Sequence, residues 1–303
     1  MEYSHQPVML AEAMSALNPR EGGRYVDCTV GGGGHAGVLL DRVGLRGLVL
    51  GVDRDPEAIQ NLKEVLQPAA SNLILHQANF SRLDEVLAEL NWEAVDGMIA
   101  DLGLSSYQLD RSGRGFSFQR DEPLDMRMDP DSGPPASVLV NRLPEKKLAD
   151  LIFRLGEDRA SRRIARAIVL ARRKHAFQTA DQLADVVRRS LRRPGRPQRI
   201  DPATRTFQAL RLAVNQELEN LETFLSLAPG LLKEGGRLVV ISFHSLEDRL
   251  VKRALIPANR RSPELKTGPA LKALYKKPLR PSPEEVAANP RARSAKLRAG
   301  ERI

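Results

Sequence analysis

The length and composition of the chain place it among soluble globular proteins. It has 303 residues, 42% of them hydrophobic and 28% charged, enough for one large domain or two ordinary ones. The single cysteine, Cys28, excludes an internal disulfide framework and favours a reducing, cytoplasmic compartment. No apolar run reaches the about 18 residues that a membrane span needs, so no membrane partner is expected. The net charge of +9 favours a polyanionic partner.

The N-terminal part of the chain alternates helix and strand patterns. In chain order we predict a helix at 9–17, a strand at 25–28, a glycine-rich turn at 31–37, a helix from 38, and a strand at 48–52 that ends on Asp53. An acid at the tip of such a second strand can accept both hydroxyls of a ribose. This order therefore predicts a pocket for an adenosine-containing cofactor.

Asp27 bears on which cofactor that pocket holds. Residues 32–37 fit the G-x-G-x-x-G pattern, which alone is a weak signal for a dinucleotide. A carboxylate at the end of the first strand suits a pyrophosphate poorly, but it suits the ammonium group of a methionine moiety. These features favour S-adenosyl-L-methionine, which is cationic and has no phosphate. A nicotinamide-dependent oxidoreductase stays open, because it would use the same loop and Asp53.

Later strand patterns extend the first ones into a sheet with an insertion. A helix at 57–66 and strands at 73–76, 95–101 and 237–242 complete the alternating series. We therefore predict an α/β fold, a doubly wound, mostly parallel Rossmann-like sheet. The interval between the last two strands is too long for one crossover helix. It predicts a discontinuous main domain, 1–133 and 200–303, with an inserted helical domain at 134–199.

The predicted insert is helical and rich in arginine. Helices are expected at 145–154 and 158–174, a capping box of Thr179 and Gln182 opens a third, and Asp201 with Pro202 opens a fourth. The insert's arginines are residues 159, 162, 163, 166, 172, 173, 188, 189, 192, 193, 196 and 199. A run of positive charge rich in arginine suits nucleic-acid phosphates. We expect Arg162, Arg163 and Arg166 to contact a nucleic acid, and we expect the same of Arg291 and Arg293 in a second basic segment.

The tips of the later strands supply candidates for chemistry. Asp101 ends the fourth strand, and Ser242, Phe243 and His244 follow the fifth, so that all face the ligand crevice of a doubly wound sheet. The polar and aromatic segments 114–118 and 124–129 are typical of a loop that closes over a ligand. No cluster of His, Cys or carboxylates has metal-ligand spacing, so no metal site is expected.

Motifs spread from end to end of the chain carry a family resemblance. They are HQPV at 5–8, VDCTVGGGGH at 26–35, VDRD at 52–55, VDG at 95–97, DLGLSS at 101–106, RGFSF at 114–118, LDMRMD at 124–129, DPATRTFQALR at 201–211, ISFHSLEDR at 241–249 and NPRARSAKLR at 289–298. On these motifs the chain resembles the bacterial 16S ribosomal RNA cytosine-N4 methyltransferases of the RsmH (MraW) family. It departs from the family's pattern at residues 174–177 and at Asp201.

The resemblance implies that the predicted sheet is of the class I methyltransferase type, and it implies both a cofactor site and a substrate. The family's S-adenosyl-L-methionine contacts fall on Gly33, Gly34, His35, Asp53, Phe80, Asp101 and Gln108. Its substrate is the exocyclic N4 amine of one cytosine, number 1402 in the family, in the decoding centre of 16S ribosomal RNA. The protein would bind this RNA in the 30S subunit or in a late assembly intermediate. A homodimer is left open.

That amine is a poor nucleophile, because its lone pair is conjugated with the ring. Hydrogen-bond acceptors and in-line placement are what its methylation needs. Asp101 is the first candidate acceptor, Phe243 a candidate platform for the base, and His244 a third catalytic candidate. A non-catalytic basic RNA-binding factor is the alternative from another class, and methyl transfer from labelled cofactor separates the two.

Overall fold

The computed structural model describes residues 7–66, 68, 70–118, 120–192, 201–256 and 269–303. The chain divides into two compact units, one formed by Met1–Gly103 with Leu218–Ile303 and the other by Leu104–Glu217. Within the described residues, no helix is long and apolar enough to cross a membrane. Residues 193, 196 and 199 of the predicted insert, and His5 and Gln6 of the first motif, lie outside the described residues.

The first unit alternates strands with helices, as the sequence predicts. Its strands are β1 (Arg24–Asp27), β2 (Leu48–Asp53), β3 (Leu73–Gln77), β4 (Val95–Asp101), β5 (Leu232–Ser242), β6 (Leu271–Ala273) and β7 (Lys296–Arg302). Its helices are α1 (Leu10–Leu17), α2 (Gly34–Val43), α3 (Pro56–Val65), α4 (Leu83–Glu89), most of α11 (Glu217–Leu231), α12 (Ser245–Ala254) and α13 (Pro283–Ala288).

The strands form one sheet in the order β3-β2-β1-β4-β5-β7-β6. The first five run parallel, whereas β7 is antiparallel to both β5 and β6. The strand order reverses direction between β1 and β4, which makes this the place where a doubly wound sheet binds its ligand. The predicted mostly parallel, Rossmann-like sheet is confirmed, while the antiparallel edge was not predicted.

Alternating side chains on the strands bury both faces of this sheet. Tyr25 and Val49 point into a core that also holds residues of α1 and α2. Val26 and Leu50, one position further along, point into a second core with residues of α4 and α11. A strand buried on both faces reads as a continuous apolar run, which is why β1, β2 and β4 were visible in the sequence.

The start of β5 differs from the prediction. The predicted strand covers 237–242, but β5 already begins at Leu232. Gly235 has φ 73° inside this strand, and the pairing of β5 with β4 shifts register between Val95 and Gly97. The first part of β5 is therefore an irregular strand entry, which an alternating apolar pattern does not mark.

The second unit is helical around a core of its own. Its helices are α5 (Ser106–Asp110), α6 (Ala136–Arg142), α7 (Glu145–Gly156), α8 (Ser161–Arg172), α9 (Ala180–Leu191) and α10 (Thr204–Asn215). The unit is wider than the predicted insert at 134–199, because Phe116, Leu124 and Met126 before that range and Phe207 after it belong to the same core. Neither turn signals nor composition marks such contacts in the sequence.

Asp201 does not cap the long helix as predicted. Helix α10 starts at Thr204, with Ala203 as the N-cap residue and Pro202 outside the helix. Asp201 Oδ1 instead accepts the backbone N–H of Ala203 at 2.8 Å. Its Oδ2 lies 2.9 Å from the guanidinium of Arg188. The capping box of Thr179 and Gln182 at the start of α9 is confirmed.

Candidate functional site

The glycine loop between β1 and α2 is held against the tip of β2. Val30 donates its N–H to Val52 O at 2.9 Å, and Gly31 donates to Asp53 Oδ2 at 2.9 Å. Gly33 has φ 80° and forms the N-cap of α2, a left-handed conformation that favours glycine. The loop therefore turns sharply and presents its backbone at the carboxyl edge of the sheet.

Two carboxyl groups, Asp27 and Asp53, flank this loop. Asp27 is 1% exposed, and its burial, with the charge of Asp53 as a smaller cause, raises its pKa to about 7 against the opposing N–H donors of Thr29 and Ala36. Burial likewise raises the pKa of Asp53 to about 6, although it accepts N–H bonds from Asp55 and Gly31. A cation bound here would favour the ionised form of both.

Asp101 ends β4 beside the same loop. Its backbone N–H donates to Thr29 Oγ1 at 2.7 Å, so the start of the glycine loop and the tip of β4 are joined. Its Oδ1 atom is buried and lacks a hydrogen-bond partner among the described residues. Burial, followed by the charges of Asp27, Glu247 and Glu285, holds the pKa of Asp101 well above its usual value. An unsatisfied buried acceptor of this kind is suited to a ligand donor.

The tip of β5 is fixed by Glu247, a residue that the sequence reading did not select. Glu247 is 2% exposed, and its Oε2 accepts the N–H groups of Phe243 at 2.9 Å and His244 at 3.3 Å. Its backbone N–H donates to His244 Nδ1 at 3.4 Å, and its Oε1 lies 3.1 Å from His244 Nε2. The pattern is a capping box for α12, and Glu three residues after a cap was the signal that could have found it.

This network gives His244 a structural role at the start of α12. Its Nδ1 accepts the N–H of Glu247, whereas its buried Nε2 lies 3.1 Å from Glu247 Oε1 without hydrogen-bond geometry among the described residues, so a catalytic role for His244 stays a prediction. Phe243 lies by the tip of β4, since a Cβ on Gly103 would stand 3.7 Å from its ring. Gly103 has φ 102°. The tips of β4 and β5 therefore bring Asp101 and Phe243 to one edge of the sheet, as the sequence predicts.

The other predicted cofactor residues fall in three places. Gly34 and His35 open α2 directly after Gly33. Phe80 begins a 3-10 helix, Phe80–Arg82, after β3 and makes an edge contact with Phe224 at 5.3 Å between ring centroids. Gln108 belongs to the second unit, where its side chain completes the capping box of α5 with Ser105. The cofactor roles of these residues stay predictions.

The segments 114–118 and 124–129, predicted to close over a ligand, are built into the core of the second unit. Arg114 is 8% exposed, and its guanidinium donates to Met128 O at 2.7 Å. Asn215 Nδ2 donates to Met126 O at 2.7 Å and its Oδ1 accepts the N–H of Met128 at 2.8 Å. The distinctive sequence of these segments is thus used for packing.

The candidate RNA-binding arginines are on the surface. Arg162, Arg163 and Arg166 are exposed on α8, whereas Ile164 and Ile168 of the same helix are buried. Arg291 and Arg293 are exposed in the 3-10 helix Pro290–Ser294. Other basic residues of these regions have structural partners: Arg172 donates to Val140 O at 2.7 Å, Arg188 pairs with Asp201, and Lys296 and Arg298 both bind Asp248.

The chemistry of this edge fits S-adenosyl-L-methionine. Three carboxyl groups gather there, those of Asp27, Asp53 and Asp101, and burial raises the pKa of each. A sulfonium and an ammonium group would offset these charges, and ribose hydroxyls suit the oxygens of Asp53. The phosphates of a dinucleotide would meet the same carboxylates unfavourably. Within the described residues, no group of three His, Cys, Asp or Glu could hold a metal ion.

The sheet and this edge define a Rossmann-like methyltransferase of class I that uses S-adenosyl-L-methionine. The chain matches the MraW methylase family over residues 2–303 and belongs to that family. Family membership removes the oxidoreductase alternative.

Curated relatives match the chain over its whole length. The ribosomal RNA small subunit methyltransferase H of Syntrophobacter fumaroxidans is 51% identical over 98% of this chain and 96% of its own. The protein of that name from Magnetococcus marinus is 48% identical over 100% of both chains. Among solved structures, fibrillarin of Aeropyrum pernix with bound S-adenosyl-L-methionine aligns with a TM-score of 0.42 and 14% identity over 96% of this chain and 73% of its own. That likeness is too weak to carry an argument.

Replacing Asp27 with asparagine is expected to stabilise the cofactor-free protein in a pH-dependent way. The folded-state pKa of Asp27 is raised to about 7, so wild-type stability is full below the unfolded pKa near 4 and is lost as the pH rises toward 7. Asparagine keeps an acceptor for Thr29 and carries no charge. The stability advantage of the variant should therefore grow between pH 4 and 7, by at most a few kcal/mol since one pKa unit is worth about 1.4 kcal/mol.

Urea unfolding of both proteins at several pH values measures this difference, and S-adenosyl-L-methionine should cancel it by favouring the charged wild type. A difference that stays flat from pH 4 to 7 would show that Asp27 is not a strained, buried acid.

Proposed function

We propose that this protein methylates the exocyclic N4 amine of the family's target cytosine in the decoding centre of 16S ribosomal RNA. Relatives about half identical over their full length bear the name ribosomal RNA small subunit methyltransferase H. The observation that supports the choice of an amine is the buried Oδ1 of Asp101, which has no hydrogen-bond partner among the described residues and which we place next to the methyl donor. An N–H group is the donor that such an oxygen lacks.

The proposed chemistry needs one acceptor and one platform from this chain. When bound, S-adenosyl-L-methionine supplies an electrophilic methyl group. The Asp101 carboxylate accepts a hydrogen bond from the N4 amine, which draws its lone pair out of conjugation toward the methyl carbon. As the nitrogen–carbon bond forms, the bond between the sulfur and the methyl group would break, S-adenosyl-L-homocysteine would leave as a neutral thioether, and the amine proton would pass to Asp101. Burial raises the pKa of Asp101, and the positive charge of the bound methyl donor would favour the carboxylate that accepts this proton.

A base inside a folded RNA must be turned outward to reach Asp101. Such bases are recognised by stacking on aromatic side chains and by contacts to their Watson–Crick edge. The backbone N–H of Phe243 donates to the side-chain Oε2 of Glu247 and holds Phe243 at the tip of β5, beside the tip of β4. We assign it the stacking role.

The second unit is proposed to bind the RNA through phosphates. Arg162, Arg163 and Arg166 stand exposed on α8, and arginine forks match phosphate geometry. Arg291 and Arg293, exposed near the C-terminus, are proposed to add contacts. The substrate would be the RNA in the 30S subunit or a late assembly intermediate, in the cytoplasm.

Labelled S-adenosyl-L-methionine, purified protein, and either free 16S RNA or 30S subunits test this proposal. Label is expected in the RNA, and more in 30S subunits than in free RNA. A protein that binds RNA without transferring label would be a binding factor instead.

Replacing Arg162, Arg163 and Arg166 with glutamine is expected to weaken RNA binding and to flatten its salt dependence. Each lost phosphate contact removes about 0.7–0.9 from the slope of log affinity against log salt concentration. The control exchanges three exposed cations of the first unit, Arg42, Arg46 and Lys63, for the same change in net charge. Filter binding over a salt series measures both. Equal slopes in the two triple variants would show that only total charge matters.

A further inference from the structure

The segment Pro7–Met9 lies against the end of the glycine loop, where α2 begins. His35, the second residue of α2 and 5% exposed, donates its Nε2–H to Val8 O at 3.2 Å. A Cβ on Gly34 would stand 3.0 Å from the Pro7 ring, so the proline lies directly against the loop. This segment, residues 7–9, is called the strap below.

The strap ends in a backbone conformation that needs support. Met9 has φ 52° and ψ 37°, the left-handed region, although it is not a glycine and is fully buried. Such a residue persists only where its surroundings hold it. The holding contact comes from the far end of the chain: the N–H of Met9 donates to Glu285 Oε1 at 2.6 Å.

Glu285 is itself fixed in the first turn of α13. Its N–H donates to Ser282 Oγ at 3.1 Å, which caps that helix. Val8 and Met9 share a buried core with Ala36 of α2 and with Ala292 and Ala295 after α13. The glycine loop, the strap and α13 are therefore one packed assembly within the first unit.

We propose that Glu285 and His35 are positioning residues that hold the strap against the glycine loop and thereby set the shape of the S-adenosyl-L-methionine cradle. This inference rests on the placement of the methyl donor at that loop. Neither residue needs to touch the cofactor by its side chain. The mechanism is preorganisation: a loop held in its binding conformation loses less freedom when the ligand binds.

A pair of substitutions at Glu285 separates the effect of its hydrogen bond to Met9 from the effect of its charge. Glu285→Gln removes the negative charge but keeps an acceptor oxygen for Met9, whereas Glu285→Ala removes both. Calorimetry should give a cofactor affinity within about threefold of wild type for Gln and roughly tenfold weaker for Ala, the scale of one charge-assisted hydrogen bond. The control is Glu93→Ala, an exposed glutamate of the first unit outside the strap and α13, with unchanged affinity.

Hydrogen exchange of the Met9 amide tests directly whether its hydrogen bond to Glu285 holds the strap. The Met9 amide should exchange faster in Glu285→Ala than in Glu285→Gln or wild type, and the cofactor should slow it in wild type. His35→Leu and His35→Gln form a second pair, usable if Glu285→Ala does not fold. Leucine removes the donor to Val8 and should loosen the strap, while glutamine restores it.

Equal losses of affinity in Glu285→Ala and Glu285→Gln, or equal exchange of the Met9 amide in both, would show that the Glu285 hydrogen bond to Met9 does not set the cofactor cradle. If Asp53→Ala in the same calorimetric series also binds normally, the cofactor site itself is misplaced. If Asp53→Ala binds weakly while Glu285→Ala binds normally, only the strap fails.

Discussion

Replacing Asp101 with alanine is expected to lower the single-turnover rate of methyl transfer roughly 10²–10³-fold, the usual effect of removing one preorganised electrostatic partner of a transition state. The buried Oδ1 of Asp101 has no hydrogen-bond partner among the described residues, so its removal leaves no internal donor unsatisfied there. The affinity for S-adenosyl-L-methionine should fall much less than the rate. Rapid-quench kinetics and calorimetry on one preparation measure the two.

The matched control is Asp96→Asn, at the opposite end of the same strand. Asp96 accepts from Arg24 N at 2.8 Å and pairs with Lys233, far from the strand tip that carries the site. Its loss should affect stability and not the rate. Equal losses of rate and cofactor affinity in Asp101→Ala would show that Asp101 holds the cofactor and does not act on the amine.

Replacing Asp53 with alanine is expected to weaken S-adenosyl-L-methionine binding by about 1.5–3 kcal/mol, because two ribose hydroxyls lose their acceptor. The same change releases the N–H groups of Gly31 and Asp55, which Asp53 accepts at 2.9 Å each, so the glycine loop loses its tie to β2 as well. The two causes act in the same direction, and calorimetry gives their sum.

Asp53→Asn helps to divide that sum, since asparagine keeps one acceptor oxygen and should lose less affinity than alanine. Glu57→Ala, an exposed residue in the first turn of α3, should bind as wild type does. Unchanged binding in Asp53→Ala would move the ribose contact to another residue.

The sheet of the first unit was readable in the sequence because its strands are buried on both faces. Runs such as Val95–Asp101 are apolar over most of their length and end on polar tips, so both the strand and its functional end were visible. The cap at Thr179 was also visible, since a capping box is local.

The antiparallel strand β7 could not be recognised in the sequence, because its basic residues mask the strand pattern. Lys296 and Arg298 look like a nucleic-acid tail, but both pair with Asp248 while Leu297 and Ala299 point into the core. Alternation with period two is easily masked when the outward residues are all basic. The partner of such a charge cannot be read from the residues next to it.

Long-range contacts set the remaining limits. Glu285 and Met9 are separated by 276 positions, and nothing local marks Glu285 as an acceptor. The edges of the second unit depend on core contacts of Phe116 and Phe207, which lie outside the range of the predicted insert. Glu247 could have been identified from the sequence, because its spacing after His244 is a capping signature.

The proposed function requires that the methyl group reach the N4 amine of one cytosine in 16S ribosomal RNA. Purified 30S subunits, from cells that lack this methylation, are incubated with the protein and S-adenosyl-L-methionine, digested to nucleosides and short fragments, and analysed by mass spectrometry. We expect N4-methylcytidine at a single position in the decoding centre, absent when Asp101→Ala replaces the wild-type protein. A methyl group on a ring carbon, on a ribose or on a base other than cytosine would contradict it.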